Sequence, residues 1–396
     1  MSIASLPSFR RPVFGTILGR AEEPRGVMQV LAGPRQVGKT TVIRQVLEHV
    51  RLPNHYATAD EVAGYDREWI RAQWMAARAA AGADGAILVL DEVQKIPGWS
   101  DMVKFLWDED TFSGSTLKVF ILGSAPLLVG RGLTESLAGR FEVIRVPHWG
   151  FAEMRDAFGF DLDHFLYFGG YPARASSIGD EERWSDYIRN ALVETTISRD
   201  VLLLTPVTKP ALLRTLFALA CAYSGQVLSY NKMLGQLQDA GNGTTLAHYV
   251  ELLRGAGMVS GLQKYSGSQV RRKASSPKLL VHNTALMSAM RGLSFVATKD
   301  DSDVWGRTVE TAVGAHLLNS GYQPGYWRER NREVDFVVET PTGVTALEVT
   351  SARRKDSLPG LAEFASRYPE SRTLLVGGQG IPLEEFLLSD PARWLA

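Results

Sequence analysis

The stretch GPRQVGKTT, residues 33–41, decides the fold. It fits the pattern GxxxxGK(S/T), in which glycines let the backbone curl so that its N–H groups point at phosphate oxygens. The apolar run VMQVLA (27–32) precedes it, and the helical pattern TTVIRQVLEHV (40–50) follows it. A strand, a glycine-rich turn and a helix in this order predict a phosphate-binding loop, because the positive end of the helix then points at the anion.

The loop predicts an ATP site that uses Mg²⁺. We expect Lys39 to reach the β- and γ-phosphates and the Thr40 hydroxyl to ligate the metal ion. The residues expected to line the nucleotide are Gly33, Pro34, Arg35, Gln36, Val37, Gly38, Lys39, Thr40 and Thr41.

The run AILVLDE (86–92) supplies two acids to the same site. Its apolar residues predict a buried strand, so Asp91 emerges at the carboxyl end, where ligands lie in open α/β sheets. Asp91 is expected to hold Mg²⁺ directly or through water, and Glu92 to polarise the attacking water. Taken alone, the run would read as a strand that ends in solvated acids. Beside a phosphate-binding loop, it indicates a hydrolytic site.

Further polar residues follow the next strands. Ser124 ends the run LGS (122–124), where it can contact the γ-phosphate or the water, or simply cap a turn. Arg140 precedes the fifth apolar run and could enter the site of a neighbouring subunit to stabilise transition-state charge. Arg131 competes for that role, and either arginine could instead be an ordinary surface residue.

The pattern of apolar runs predicts an α/β fold of three domains. In residues 1–150, five apolar strands separated by helices indicate a parallel sheet covered on both faces. Residues 151–275 are mostly helical, and their order of helix, helix and hairpin, with a second hairpin strand at 269–273, is typical of a winged helix. Residues 276–396 again mix helices and strands.

Composition places the chain among ordinary globular proteins. The 396 residues carry 43 basic and 43 acidic side chains, so any surface for a polyanion must come from local clustering of charge. The single cysteine fits a reducing compartment. The absence of a signal-like or membrane-length apolar segment predicts a cytoplasmic protein without membrane contact.

Several motifs together resemble a known family. With the loop, the runs LDEVQKIPGW (90–99), LGSA (122–125) and ESLAGRF (135–141) are similar to the AAA-type ATPases of bacteria and archaea that carry a C-terminal domain of unknown function. Looser matches continue through GGYP (169–172), ETTISRDV (194–201) and SPKLLVHNTAL (276–286) to EVDF (333–336) and LEV (347–349). The resemblance implies an AAA+ core with strand order 5-1-4-3-2 and nucleotide-dependent association of subunits. It gives Ser124 a sensor role and Arg140 the role of an arginine finger.

The last third resembles restriction-endonuclease-like folds in its order of helix, three strands, helix and strand. Glu310, Asp335 and Glu348 stand where such folds place the acids that hold a metal ion. Related domains carry a lysine two residues after the last acid, whereas this chain has Thr350. The resemblance therefore implies a vestigial nuclease site that binds rather than cuts. Many relatives also show an aspartate where this chain has Asn283.

A basic group marks the winged-helix-like region as a candidate DNA surface. A hairpin tip with several cations can reach a phosphate backbone, although solvated hairpins and protein-docking wings look the same in sequence. The candidate residues are Lys232, Arg254, Lys264, Arg271, Arg272 and Lys273.

These features predict a homo-oligomeric Mg²⁺-ATPase that acts as a motor or remodeller on branched or single-stranded DNA. A nucleotide-gated DNA-binding regulator is the alternative, and an ATP-dependent nuclease is disfavoured because of Thr350.

Overall fold

The computed structural model describes residues 6–60, 66–123, 137–202, 207–237, 241–266, 275–352 and 357–395. The chain forms two compact units, residues 1–147 and 148–396. The finer division into three domains, with boundaries after residues 150 and 275, stays a prediction. In the described ranges, no helix combines the length and the apolar character that crossing a membrane requires.

The first unit alternates strands and helices, as the sequence predicts. Its helices are α1 (Val13–Glu22), α2 (Lys39–Leu47), α3 (Arg67–Ala80) and α4 (Trp99–Ser113). Its strands are β1 (Met28–Ala32), β2 (Asn54–Thr58), β3 (Ile87–Asp91), β4 (Lys118–Gly123) and β5 (Phe141–Arg145).

The described strands of this unit pair in parallel in the order β2-β3-β4-β1-β5. This confirms the parallel sheet and the strand order that the family resemblance implies. Strands β1 and β3 are buried along their whole length. Both lie inside the parallel sheet, each between two neighbouring strands. Strand β2 is the edge strand and is more exposed, which explains its weaker apolar pattern.

Helices α3 and α4 share a core with the sheet, and one polar cluster fixes their packing. Trp74 is fully buried and donates its indole N–H to Asp110 Oδ2 at 2.7 Å. Arg78 Nε donates to the other oxygen of the same carboxylate at 2.8 Å. Both oxygens of the buried Asp110 are therefore satisfied, as burial of a charge requires.

The second unit begins with a helical part. Its elements are α5 (Phe151–Phe158), α6 (Leu162–Phe168), α7 (Glu181–Asp186), two π-helical stretches (Tyr187–Val193 and Thr196–Leu202), α8 (Pro210–Ala222), β6 (Gln226–Val227), α9 (Tyr230–Gln236), α10 (Gly243–Gly255) and β7 (Val259–Leu262). It continues with β8 (Lys278–Val281), α11 (Thr284–Arg291) and α12 (Phe295–Asp300).

A small antiparallel sheet of β6, β8 and β7, in that order, packs with these helices. The sequence predicts that β7 pairs with residues 269–273, which lie outside the described residues. Among the described residues, β7 pairs with β8, whose run KLLV (278–281) is entirely buried and also pairs with β6. The pairing of β7 with residues 269–273 stays a prediction.

The GGYP turn is explained by close packing against α11. A Cβ on Gly169 would lie 2.0 Å from Asn283 Oδ1, and a Cβ on Gly170 would lie 2.0 Å from Trp149 O. Asn283 Oδ1 accepts the N–H groups of Gly170 and Ala285, each at 3.1 Å. Asn283 therefore caps α11 and holds the turn, which gives it a structural role.

The C-terminal part has the predicted order of helix, three strands, helix and strand. Its elements are α13 (Ser302–Asn319), β9 (Gly325–Glu329), β10 (Arg332–Thr340), β11 (Gly343–Val349), α14 (Pro359–Arg367), β12 (Arg372–Val376), α15 (Leu383–Leu388) and α16 (Ala392–Leu395). Within the described chain, β9, β10 and β11 form an antiparallel meander, and β12 adds in parallel to β11.

Candidate functional site

The phosphate-binding loop joins β1 to α2 and has the backbone that its glycines predict. Gly38 precedes the first residue of α2 with φ +87°, and Gln36 has φ +61°. Left-handed residues close together in a turn create a concave backbone that suits an anion. Gly33 is needed for another reason, because a Cβ there would lie 2.0 Å from Val146 O at the end of β5.

Lys39 is held inside this loop. It is 7% exposed, and its Nζ donates to Gly33 O at 2.9 Å and to Pro34 O at 2.7 Å. Carbonyl oxygens of the loop therefore bind the ammonium where we expect phosphate oxygens to bind it.

The predicted metal ligands lie together at the carboxyl edge of the sheet. Thr40 Oγ1 donates to Asp91 Oδ2 at 2.9 Å, although 51 residues separate them. Asp91 is 6% exposed and ends β3. A hydroxyl beside a buried carboxylate offers the hard oxygen donors that Mg²⁺ prefers.

Sequence reasoning missed Tyr56, which also contacts Asp91. Its hydroxyl donates to Asp91 Oδ2 at 2.5 Å. Burial and this hydrogen bond to Asp91 raise the pKa of Tyr56, so the phenol keeps its proton at neutral pH. The signal was present in the strand register, since Tyr56 pairs with Val89 and so faces the same side of the sheet as Asp91.

Glu92, the predicted base, has a strained backbone. Its φ is +56°, in the left-handed region that a residue with a side chain rarely adopts. Gln94, which the sequence analysis overlooked, is 8% exposed and donates its Nε2–H to Glu92 Oε2 at 2.9 Å. Strain of about 1–3 kcal/mol persists only where the surroundings over-determine it, and such residues cluster at functional sites.

Arg140 lies at the amino edge of the sheet, whereas Asp91 lies at the carboxyl edge. The backbone oxygen of Arg140 accepts the N–H of Met28, the first residue of β1, at 2.8 Å. Its guanidinium donates twice to Asp108 of α4, at 2.7 and 3.0 Å, and this hydrogen bonding raises the pKa of Arg140. At about 3.3 Å per residue, four residues of strand separate the two edges by roughly 13 Å. Arg140 therefore does not join Asp91 within one chain.

Ser124 and Arg131 lie outside the described residues. The same holds for Arg271, Arg272 and Lys273 of the predicted DNA surface. Of that surface's described residues, Lys232 is exposed on α9. Lys264 is half-buried at a groove of about 480 Å³ that Arg254 also lines. Arg254 forms an ion pair with Glu251 at 2.7 Å.

The predicted nuclease acids surround a lysine that sequence reasoning missed. Lys278 of β8 is fully buried, and its Nζ lies 2.6 Å from Glu310 and 3.5 Å from Asp335. The sequence signal was one charged residue in an otherwise apolar strand. Across the part of the chain that is described, no group of three or more His, Cys, Asp or Glu side chains is spaced to hold a metal ion. Glu348 of β11 lies opposite Asp335 of β10 in the sheet, but with it the described acids still form no such group.

Comparison with known families agrees with this geometry. Residues 26–155 match the family model of an AAA domain. The parallel sheet, the loop at its carboxyl edge and this match together support an AAA-type P-loop ATPase domain. Residues 159–296 and 305–385 match two domains of unknown function, DUF8612 and DUF4143.

Two mycobacterial proteins are similar along most of the chain. The uncharacterized proteins Mb2031c of Mycobacterium bovis and Rv2008c of Mycobacterium tuberculosis are each 28% identical over 383 residues, which covers 93% of this chain and 80% of theirs.

Likeness to solved structures is low. The RuvB Holliday junction branch migration motor of Thermotoga maritima aligns with 63% of this chain and 86% of its own, at 13% identity and a TM-score of 0.33. The ORC1 protein of Aeropyrum pernix, solved in complex with DNA, aligns with 75% and 97%, at 14% identity and a TM-score of 0.32. At these scores neither structure is a guide to the function of this chain.

Proposed function

We propose that this protein is a Mg²⁺-dependent ATPase whose site is completed by a neighbouring subunit and whose hydrolysis acts on DNA. The assignment as a Mg²⁺-dependent ATPase rests on the hydrogen bond between Thr40 and Asp91, together with the buried ammonium of Lys39. Three groups from two distant segments meet there, and each has the chemistry that a Mg²⁺-nucleotide requires.

Each residue has a distinct task in this proposal. Lys39 leaves the loop carbonyls and binds the β- and γ-phosphates, while Thr40 and Asp91 hold Mg²⁺. Bound there, Mg²⁺ neutralises charge on the phosphate oxygens. Glu92, oriented by Gln94, accepts a proton from the attacking water.

Two substitutions test the hydrolytic assignment. Lys39→Ala should lose both binding of a fluorescent ATP analogue and phosphate release, because it removes the cation that the phosphates bind. Glu92→Gln should keep binding and lose release, because an amide cannot accept the proton. Glu370→Gln, an exposed acid of the other unit, is the matched control and should retain the parent rate. A normal rate in Glu92→Gln would show that another residue is the base.

The position of Arg140 supports a site shared between subunits. Because it lies at the amino edge of the sheet, it can serve a phosphate only in a neighbouring subunit. Mixing the inactive variants Glu92→Gln and Arg140→Ala should restore hydrolysis, since some interfaces then pair an intact Glu92 with an intact Arg140. If the mixture stays inactive while both variants form oligomers, the shared site is wrong.

DNA as the partner rests on the middle region. We interpret the order α8, β6, α9, α10, β7, β8, with its antiparallel sheet, as a winged helix. Of the candidate DNA-contacting residues that the structure describes, Lys232 on α9 is exposed and is suited to contact a phosphate. Stimulation of the ATPase by branched or single-stranded DNA, weakened by salt and by Lys232→Ala, would support a motor. Specific duplex binding with an indifferent ATPase would support the regulator instead.

A further inference from the structure

The acidic cluster of the C-terminal part has an unusual centre. Lys278 is fully buried, and its Nζ lies 2.6 Å from Glu310 Oε1, 3.4 Å from Glu333 Oε1 and 3.5 Å from Asp335 Oδ1. The backbone oxygen of Asp335 also accepts from it, at 3.2 Å. An ammonium has three N–H donors, so these acceptors can satisfy all of them.

Charge explains why a lysine is tolerated there. Burial alone would lower the pKa of Lys278, but Glu310, Asp335 and Glu333 more than offset this and raise it. Conversely, burial raises the pKa of Glu310 to about 7, although Lys278 pulls it down. Arg328 lies 3.7 Å from Glu333 and adds a second cation at the edge. The carboxylates thus depend on Lys278 for neutralisation.

The same arrangement does not suit a metal ion. Asp335 Oδ2 accepts the N–H of Val349 at 2.8 Å, and its Oδ1 faces Lys278. Both carboxylate oxygens of Asp335 therefore already have a partner within the protein. With Lys278 Nζ among these acids, a metal ion that would assist cleavage has no position there.

We propose that Lys278 is a built-in counter-ion that takes the place of a divalent cation among Glu310, Glu333 and Asp335. The cluster is closed to metal by the ammonium, which is covalently attached and so present at every ion concentration. The C-terminal part is thereby a metal-independent structural module. Lys278 also ties β8 to α13 and β10.

Removal of the ammonium should expose a latent cation site. Lys278→Met keeps the length of the side chain but leaves the acids uncompensated, and a divalent cation is then the natural replacement. All proteins carry Asp91→Asn, so that a metal bound at the ATP site is not counted. Lys299→Met, which breaks an exposed ion pair with Asp163, is the matched control.

The experiment is a Mn²⁺ titration of the full chain by electron paramagnetic resonance, with thermal unfolding measured alongside. The background protein and Lys299→Met should bind no Mn²⁺ at the cluster, and Mn²⁺ should not change their melting temperatures. Lys278→Met should bind one Mn²⁺ per chain, lose it on addition of Asp335→Asn, and regain melting temperature with Mn²⁺. If Lys278→Met is insoluble, the double variant Lys278→Met with Glu310→Gln is measured in its place, because the cluster then carries one negative charge less.

Three outcomes would overturn the proposal. One is Mn²⁺ binding at the cluster while Lys278 is present. Another is a folded Lys278→Met protein that binds no Mn²⁺. The third is plasmid cleavage with Mn²⁺ that Lys278→Met abolishes, which would make Lys278 part of a working nuclease site.

Discussion

Gly33→Ala should destabilise the first unit through a steric clash. The added methyl would lie 2.0 Å from Val146 O and 2.9 Å from Val146 C. Atoms this close must separate by about 1 Å to reach the shortest tolerable contact, and close-packed interiors resist such shifts. The same shift would break the bond from Val146 N–H to Ala32 O, which is 2.9 Å long. Overpacking costs about 1–3 kcal/mol and a lost hydrogen bond about 1 kcal/mol, so we expect a loss of about 3 kcal/mol.

The assay is thermal unfolding followed by circular dichroism. The transition of the first unit is the one that a bound ATP analogue raises. A loss of about 3 kcal/mol should lower that transition by roughly 6–12 °C in a unit of this size. Gly19→Ala is the control, since a Cβ there meets nothing within 4 Å inside helix α1, and alanine favours a helix by about 1 kcal/mol. A drop below about 2 °C for Gly33→Ala would refute the clash.

Further predictions concern the two sheet edges and one partly buried histidine. Tyr56→Phe removes a hydrogen bond to a carboxylate, worth about 1.5–3 kcal/mol, and should raise the Mg²⁺ concentration for half-maximal ATPase roughly tenfold. Asp108→Ala breaks a half-exposed ion pair, so it should cost under about 1 kcal/mol and leave kcat nearly unchanged. Arg140→Ala should lower kcat roughly 1,000-fold, as loss of an arginine finger does. Burial lowers the pKa of His282 to about 3. The unfolded chain therefore binds the proton first, and the free energy of unfolding should fall by about 1.4 kcal/mol per pH unit below 6.5.

Matched variants separate these effects from general damage. Tyr167→Phe removes a part-buried hydroxyl that donates to Leu293 O within the second unit, and it should leave the Mg²⁺ dependence unchanged. An unchanged Mg²⁺ dependence in Tyr56→Phe would remove Tyr56 from the site. His282→Gln should flatten the acid limb of urea unfolding between pH 7 and 5, whereas the exposed His248→Gln should not. Equal slopes in both variants would argue against a neutral His282 in the folded protein.

The sequence predicted those features that short, local patterns of residues encode. The loop at 33–41 and the apolar strands carry their signals within about ten residues, so the parallel sheet and the placement of Asp91 followed. The contacts of Tyr56 and Lys278 did not, since their partners lie 32 to 57 residues away. Such pairs are set by strand register and packing, which composition and periodicity do not report. The pairing of β7 with β8 was not predicted for the same reason, because it joins two runs that are separate in sequence.

The two edges of the parallel sheet are the reason for proposing a site shared between subunits. Phosphate and metal chemistry collect at the carboxyl edge, where Lys39, Thr40 and Asp91 meet. The cation suited to transition-state charge, Arg140, lies at the amino edge, held out by Asp108. No rotation of a side chain about 6 Å long spans roughly 13 Å of strand. In the proposed function, hydrolysis therefore requires a neighbouring subunit, and we expect turnover to rise when subunits assemble.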